Sequence, residues 1–281
     1  MKRNASTINM PEGPECCLLA QKLHKWISGR RIAMTTIIEG RYHQHGPPVG
    51  FERLKLSTVQ AVGAKGKLIY WILDNDMAIL NTLGLSGTWH KSKGKHCGIK
   101  FDFEKSTDPS NYPTHIWFKD QLHYGTLKVV THAELQKKVR SLGWDCLRNP
   151  TDAEHGLTLE RWKTVCGKHP SWTMPKLLMT QTCISGVGNY LKSEILYDAR
   201  VSPHKKINEC TDEELERTWS AVTRLPRHAL ETKQGRGLVI RGRFRMKVYR
   251  KKTDPEGNVV KREKTTDNRM THWVPALTER S

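Results

Sequence analysis

Met10-Pro11-Glu12-Gly13-Pro14-Glu15 is the stretch on which the reading of this chain turns, and the residues behind it fix the first element of the fold. Leu19, Leu23, Trp26 and Ile27 fall at i, i+4, i+7 and i+8, the apolar stripe of an amphipathic helix that Gly29 can end. One reading of Pro-Glu-Gly-Pro-Glu is simply a turn leading into that helix. A second reading is chemical. If Met10 is the first residue and is removed, Pro11 carries a free secondary amine, with a pKa near the roughly 7.7–8.0 of α-amino groups, able to attack a carbonyl-type carbon and form an iminium. Inside a chain the same nitrogen is a tertiary amide with its lone pair in peptide resonance, and it is inert. Glu12 and Glu15 stand around the helix N-terminus, where the dipole favours carboxylates. Glu12, next to the amine, is placed to move protons at the reacting centre.

The chain has 281 residues, 37% of them hydrophobic, which is enough for one large domain or two ordinary ones with real cores, and two are expected. Forty-seven Lys and Arg against 28 Asp and Glu leave a net charge of +19, and that excess points to a polyanionic partner, nucleic acid first. An anionic membrane surface is the rival. No apolar run approaches the roughly 20 residues that span a bilayer and no secretory signal is seen, so a soluble intracellular protein is expected. The seven cysteines (Cys16, Cys17, Cys97, Cys146, Cys166, Cys183, Cys210) are odd in number and contain no C-x-x-C pair, which argues against a disulfide scaffold and a structural zinc site. Neither a metal nor a cofactor is expected. Residues 1–9 are polar and unpatterned, and read as a flexible extension or a start-site artefact.

From Ile32 to about Val130 the pattern is β. Lys55–Val62, Leu68–Leu73, Met77–Leu83, Gly98–Phe103, His115–Phe118 and Thr126–Val130 are short apolar runs, separated by turn chemistry such as Gly63-Ala64-Lys65-Gly66 and Asp74-Asn75-Asp76. They predict a β-sandwich or flattened barrel with the amphipathic helix packed at one end, over residues 10–145. A short helix is expected around His132–Ser141 and a linker over 146–151. From Thr151 the period turns helical: Leu159, Trp162, Lys163 and Cys166 mark one helix, Met174–Gln181 opens another, Asn189 can cap a third running to about Ala199, and a fourth follows Thr211. The fold class is therefore α+β, with a helical domain over 152–232.

Ser185-Gly186-Val187-Gly188 breaks the chain between two of these helices. Two glycines and an Asn at a helix start leave amides pointing outward with a positive dipole end behind them, which suits a phosphate; an ordinary αα corner needs such glycines equally. Over 233–281 the charge is basic. Lys233, Arg236, Arg241, Arg243, Arg245, Lys247, Arg250, Lys251 and Lys252 come without an acid among them. Phe244–Lys252 alternates like a strand, Asp254-Pro255-Glu256-Gly257 fits a type I turn, and Val259–Lys264 can return antiparallel, giving an arginine-loaded hairpin whose tip or base carries Asn268-Arg269.

Taken together these pieces resemble the formamidopyrimidine/endonuclease VIII family of bifunctional DNA glycosylases, from Met10 across nearly the whole chain. The family's opening M-P-E-G-P-E is matched at Met10–Glu15, its hairpin-turn lysine at Gly66-Lys67, and its G-x-G-N at Gly186-Val187-Gly188-Asn189, with Glu194 downstream. Its arginine-bearing finger is matched at Asn268-Arg269. The resemblance implies that Pro11 is the nucleophile on the sugar's anomeric carbon and Glu12 its acid–base partner. Lys67, Asn189 and Arg269 would grip phosphates, with Glu15, Glu194 and Arg236 also at the DNA surface. It implies an N-terminal β-sandwich, a helix–two-turn–helix domain and a β-hairpin finger. Oxidised bases would be excised through a Schiff base and the backbone then cut by β,δ-elimination, by a monomer working where the DNA is, on damaged double-stranded DNA or on single-stranded or bubble DNA.

A flipped base leaves a gap to be filled. The family's L-G-M-S-G turn reads here Leu83-Gly84-Leu85-Ser86-Gly87, making Leu85 the candidate wedge. Its D-x-R-R-F-G loop reads Asp120-Gln121-Leu122-His123-Tyr124-Gly125, without the arginine pair that contacts the opposite base. Leu122, His123 and Tyr124 take those places, which tilts the expectation toward the endonuclease VIII side, with oxidised pyrimidines and ring-opened purines as substrates. The finger lacks four cysteines and resembles the zincless fingers of some members. A non-catalytic nucleic-acid-binding protein is the competing reading, since helix–two-turn–helix segments also serve simply to hold DNA or RNA.

Overall fold

The computed structural model describes residues 10–105, 112–234 and 244–278. They fall into two compact units. One comprises the chain up to Pro11 with Glu15–Arg140; the other comprises Glu12–Pro14 with the chain from Ser141. Arg236 and the basic residues Arg241 and Arg243 lie outside the described residues, as do residues 1–9.

The first unit opens on α1 (Gly13–Ile27), which buries Leu19, Leu23 and Ile27 and ends where Gly29 takes a φ of +76°. There follow β1 (Ile32–Ile37), the short α2 (Arg41–His45), β2 (Val59–Lys65), β3 (Leu68–Leu73), β4 (Met77–Thr82), β5 (Thr88–His90), β6 (Cys97–Phe103), β7 (His115–Lys119), β8 (Thr126–Thr131) and α3 (His132–Ser141). Two four-stranded antiparallel sheets result, in the orders β1-β6-β7-β5 and β2-β3-β4-β8. Side chains alternate across a strand, so Ile99, Phe101 and Phe103 of β6 face the interior while Lys100 and Asp102 face out. Both sheets contribute to one apolar core with α1, centred on Trp71, Trp89 and Phe101, whose rings lie 5.1–5.6 Å apart. The indole N–H of Trp89 would be costly buried alone, and it donates to Asn81 Oδ1 at 2.9 Å. Sequence patterning missed β1 and β5, because β1 leaves most of its side chains half-exposed and β5 is only three residues long.

In the second unit β9 (Trp144–Asp145) pairs in parallel with β10 (Ile184–Ser185), and the helices are α4 (Leu159–Gly167), α5 (Met174–Met179), α6 (Asn189–Ala199) and α7 (Asp212–Gln234). Thr158 caps α4 through its hydroxyl, which accepts from Arg161 N. α6 is the central helix and is buried nearly all round, including Lys192, Ser193 and Glu194. Such a helix has no polar face to reveal it by periodicity, and each of its polar side chains needs an internal partner.

The finger differs from the expected hairpin. Its strands are β11 (Lys261–Lys264) and β12 (Met270–Trp273), closed by the turn Thr265–Arg269 and followed by the short α8 (Pro275–Thr278). Phe244–Lys252 forms no strand: the amides of Lys247, Val248 and Tyr249, which a ladder would have used, are bound to the Glu194 carboxylate instead. Asp254–Gly257 does turn, with Gly257 N donating to Asp254 O and the Asp254 side chain accepting from Glu256 N and Asn258 N.

Candidate active site

Within the second unit the site is built on the N-terminus of α6. Gly186 takes a φ of +105°, a conformation that side chains rarely adopt, and its carbonyl accepts from Gly13 N at 2.8 Å. The residue before Gly13, Glu12, is 2% exposed and seats its carboxylate on the first amides of α6: Gly188 N at 2.8 Å and Leu191 N at 3.1 Å on Oε2, and Tyr190 N at 2.8 Å on Oε1. The positive helix end thus receives a negative side chain from far away in the sequence. Asn189 had been expected to cap this helix. It is instead the first helical residue, and its Oδ1 is buried with no hydrogen-bond partner among the described residues. The capping is done by Glu12, so these amides are not open to a phosphate.

Two lysines surround this cradle. Lys233, at the end of α7, lies 5.5 Å from the centre of the Tyr190 ring; burial pushes its ammonium below the ordinary lysine range, against the pull of Glu12. Lys192, inside α6, is fully buried and bonds Asp267 Oδ2 at 2.6 Å. Burial lowers its pKa too, with Asp267 and Glu12 opposing and Arg269 reinforcing the shift. Neither lysine stands out in the sequence, where each is one basic residue among many.

The finger is latched to the same helix. Glu194 Oε1 accepts from Val248 N at 3.0 Å and Tyr249 N at 2.8 Å, and Oε2 from Lys247 N at 2.9 Å. Burial holds its carboxyl above the usual range while those amides pull the other way. Glu194 was expected at the DNA surface. It is 2% exposed, and its two carboxylate oxygens hold three amides of the finger segment. Arg269 is exposed on the turn, whose carbonyl at Arg269 accepts from Thr265 N at 3.0 Å, and Asn268 beside it adopts a left-handed φ of 60°.

Among the described residues no group of three or more His, Cys, Asp or Glu could hold a metal. His272 is buried in β12, donating its backbone N–H to Ser193 Oγ at 3.2 Å and meeting Tyr249 edge-on. Burial, then the charges of Arg262, Arg250 and Lys192, push its pKa down from 6.5 to about 4. The unfolded chain therefore binds more protons than the folded one between these values, and stability falls as pH drops through that window. Urea denaturation at several pH values should show this slope in the wild type and a flatter one in His272→Gln. Equal slopes would remove His272 from the account.

In the first unit Lys67 follows Gly66 in the turn between β2 and β3 and is half-buried, with its carbonyl accepting from Cys16 Sγ at 3.7 Å. Glu15 is half-buried in the first turn of α1, and Pro11 is half-buried immediately before Glu12. The two loops with the candidate base contacts are tied to each other. Asp120 Oδ1 accepts from Ser86 Oγ at 2.5 Å, Asp120 Oδ2 from Gly125 N at 2.6 Å, and Ser86 Oγ from Leu122 N at 2.9 Å. This clasp presents a half-buried Leu85 and Leu122, an exposed His123 with φ of 59°, and Tyr124 at 62% exposure. Ser86 and Asp120 carried no role in the sequence reading, yet they set the shape of both loops.

One unit is a β-sandwich, and the other joins a helix–two-turn–helix to a β-hairpin and seats the Glu12 carboxylate on α6. Residues 10–127 match the Formamidopyrimidine-DNA glycosylase N-terminal domain, 149–239 its H2TH domain and 241–279 its C-terminal domain. A Formamidopyrimidine-DNA glycosylase of Listeria monocytogenes is 25% identical over 285 residues, covering 95% of this chain and 98% of the relative. That of Acidothermus cellulolyticus is 30% identical over 202 residues, 68% of this chain and 66% of the relative. The Lactococcus lactis enzyme in complex with DNA containing an oxidised pyrimidine superposes with a TM-score of 0.78 at 17% identity, over 96% of this chain and 100% of that one. Its complex with DNA containing an abasic (AP) site gives 0.76 at 18% identity, over 95% and 99%. At such identities these structures establish the fold. The chain belongs to the formamidopyrimidine-DNA glycosylase family, DNA glycosylases of DNA repair with associated AP lyase activity.

Proposed function

We propose that this protein binds damaged double-stranded DNA, flips out an oxidised nucleotide and removes the base through a Schiff base formed by Pro11, then cleaves the backbone by β,δ-elimination. The observation that carries the reading is Glu12, directly after Pro11, held by three amides at the positive end of α6. The reaction needs the Pro11 nitrogen as a chain terminus, which requires removal of Met10 and what precedes it. The amine lone pair then forms the N–C1′ bond, the electrons of the glycosidic bond leave with the base, and Glu12 moves protons at the sugar. Lys67, Asn189 and Arg269 are assigned to phosphates, because ammonium, guanidinium and a side-chain amide near a helix N-terminus each suit a phosphate oxygen. Borohydride should trap a covalent complex between Met10-start protein and abasic-site DNA, and Pro11→Gly should retain weak trapping. Protein keeping residues 1–9 should bind without reacting. Good binding with no crosslink from the Met10-start form would overturn the reading.

The finger is proposed to work without metal, held by Glu194 and by the packing of β11 on β12. The preference proposed is for oxidised pyrimidines and ring-opened purines, since Leu122 and His123 offer no guanidinium to the opposite base. Leu85 is proposed as the wedge. Unstacking a base costs a few kcal/mol, so Leu85→Ala should slow excision from duplex DNA by roughly tenfold while hardly changing cleavage at a preformed abasic site, where extrusion is easier. Single-turnover rates on the two substrates measure this. Equal losses on both would remove Leu85 from base extrusion.

A further inference from the structure

The turn that carries Arg269 is pinned from within. Asp267, two residues earlier, has a side chain 3% exposed, and it accepts from the fully buried Lys192 Nζ at 2.6 Å through Oδ2 and from Thr265 Oγ1 at 2.5 Å through Oδ1. Thr265 continues to Thr271 Oγ1 at 2.7 Å, on the opposite strand of the hairpin. Ser193, the next residue of α6, accepts from His272 N at 3.2 Å, and Thr173 bonds Thr266. Consecutive side chains of one helix therefore hold both the tip and the second strand of the finger. A buried ion pair is a poor source of stability, because desolvation offsets much of its attraction and an apolar pair of similar volume often does as well. What it supplies is placement: a charged hydrogen bond inside the protein is satisfied only where donor and acceptor meet, whereas apolar side chains can slide.

We propose that Lys192 is a positioning residue which, through Asp267, fixes the turn Thr265–Arg269 on α6 and so sets where Arg269 meets a DNA phosphate. The assignment rests on the reading of Arg269 as a phosphate ligand. It also gives the finger a fixed geometry from residues inside the protein. Lys192 touches no DNA in this scheme; its effect passes entirely through the exposed guanidinium of Arg269.

A double-mutant square with the full chain tests this. The affinity for duplex DNA carrying a tetrahydrofuran abasic analogue is measured for wild type, Lys192→Met, Arg269→Ala and the double variant, with thermal melts beside each. Lys192→Met should weaken binding about tenfold or more, near the loss in Arg269→Ala, because an Arg269 held out of place cannot keep a charged hydrogen bond. With Arg269 already gone, adding Lys192→Met should cost less than about twofold. Asp267→Asn, nearly isosteric, goes through the same square and covers the case in which Lys192→Met does not fold. If either substitution costs the same with and without Arg269, or leaves a folded protein that binds like wild type, the pair does not position Arg269 and the proposal falls. A wild type that fails to bind this duplex would instead overturn the functional reading itself.

Discussion

Gly188→Ala should stop nearly all base excision while the helical unit stays folded. A Cβ on Gly188 would stand 2.4 Å from Cδ and 2.5 Å from Oε1 of Glu12, so the carboxylate must leave its seat. The backbone itself does not object, since Gly188 has φ −129° and ψ −159°, open to any residue. What is lost is the alignment of one carboxylate beside Pro11. General acid–base groups contribute typically about 10²–10⁴-fold, and the single-turnover rate should drop within that range. Glu12→Gln should lose a similar factor, and the two changes together should lose little more, because both remove the same function. A Gly188→Ala protein that excises within a few-fold of wild type would show that Glu12 need not sit where α6 holds it.

Glu194→Ala should cost the fold several kcal/mol, on the order of the loss from three unsatisfied amides. It takes the acceptor from three amides, Lys247 N, Val248 N and Tyr249 N, at a side chain that is itself buried. Each buried group left unsatisfied costs about 1–3 kcal/mol, so a loss of roughly 3 kcal/mol or more is expected, concentrated in the finger. Glu194→Gln should fall between, since its one carbonyl oxygen can still accept while its NH₂ opposes an amide donor. Urea denaturation gives the totals, and hydrogen exchange of the 247–249 amides shows where the opening occurs. Glu194→Ala with wild-type stability and wild-type protection at those amides would contradict the latch.

Much of this was legible in the sequence, for identifiable reasons. Strands such as Leu68–Leu73 and the stripe Leu19, Leu23, Ile27 announce themselves because burial follows local periodicity. The G-x-G-N turn was visible as a helix start, but what caps that helix was not. Glu12 lies more than 170 residues before the amides it binds, and no local pattern encodes such a partner. The finger shows the same limit. Phe244–Lys252 alternates like a strand, yet a buried carboxylate from α6 takes its amides and the hairpin forms further on, at Lys261–Lys264 and Met270–Trp273. Tertiary hydrogen bonds overrode local preference there. Lys192, Ser86 and Asp120 drew no role from the sequence because a polar side chain with an internal partner looks, in sequence, like a solvated one.

Whether the nitrogen of Pro11 forms the bond to the sugar is read by peptide mapping of the borohydride-reduced complex. Met10-start protein is trapped on abasic-site DNA, digested with nuclease and trypsin, and the peptides are read by mass spectrometry. The sugar remnant is expected on the peptide from Pro11 to Lys22, carried by its terminal nitrogen. A remnant on a peptide containing Lys67, Lys192 or Lys233, with the peptide from Pro11 unmodified, would contradict it.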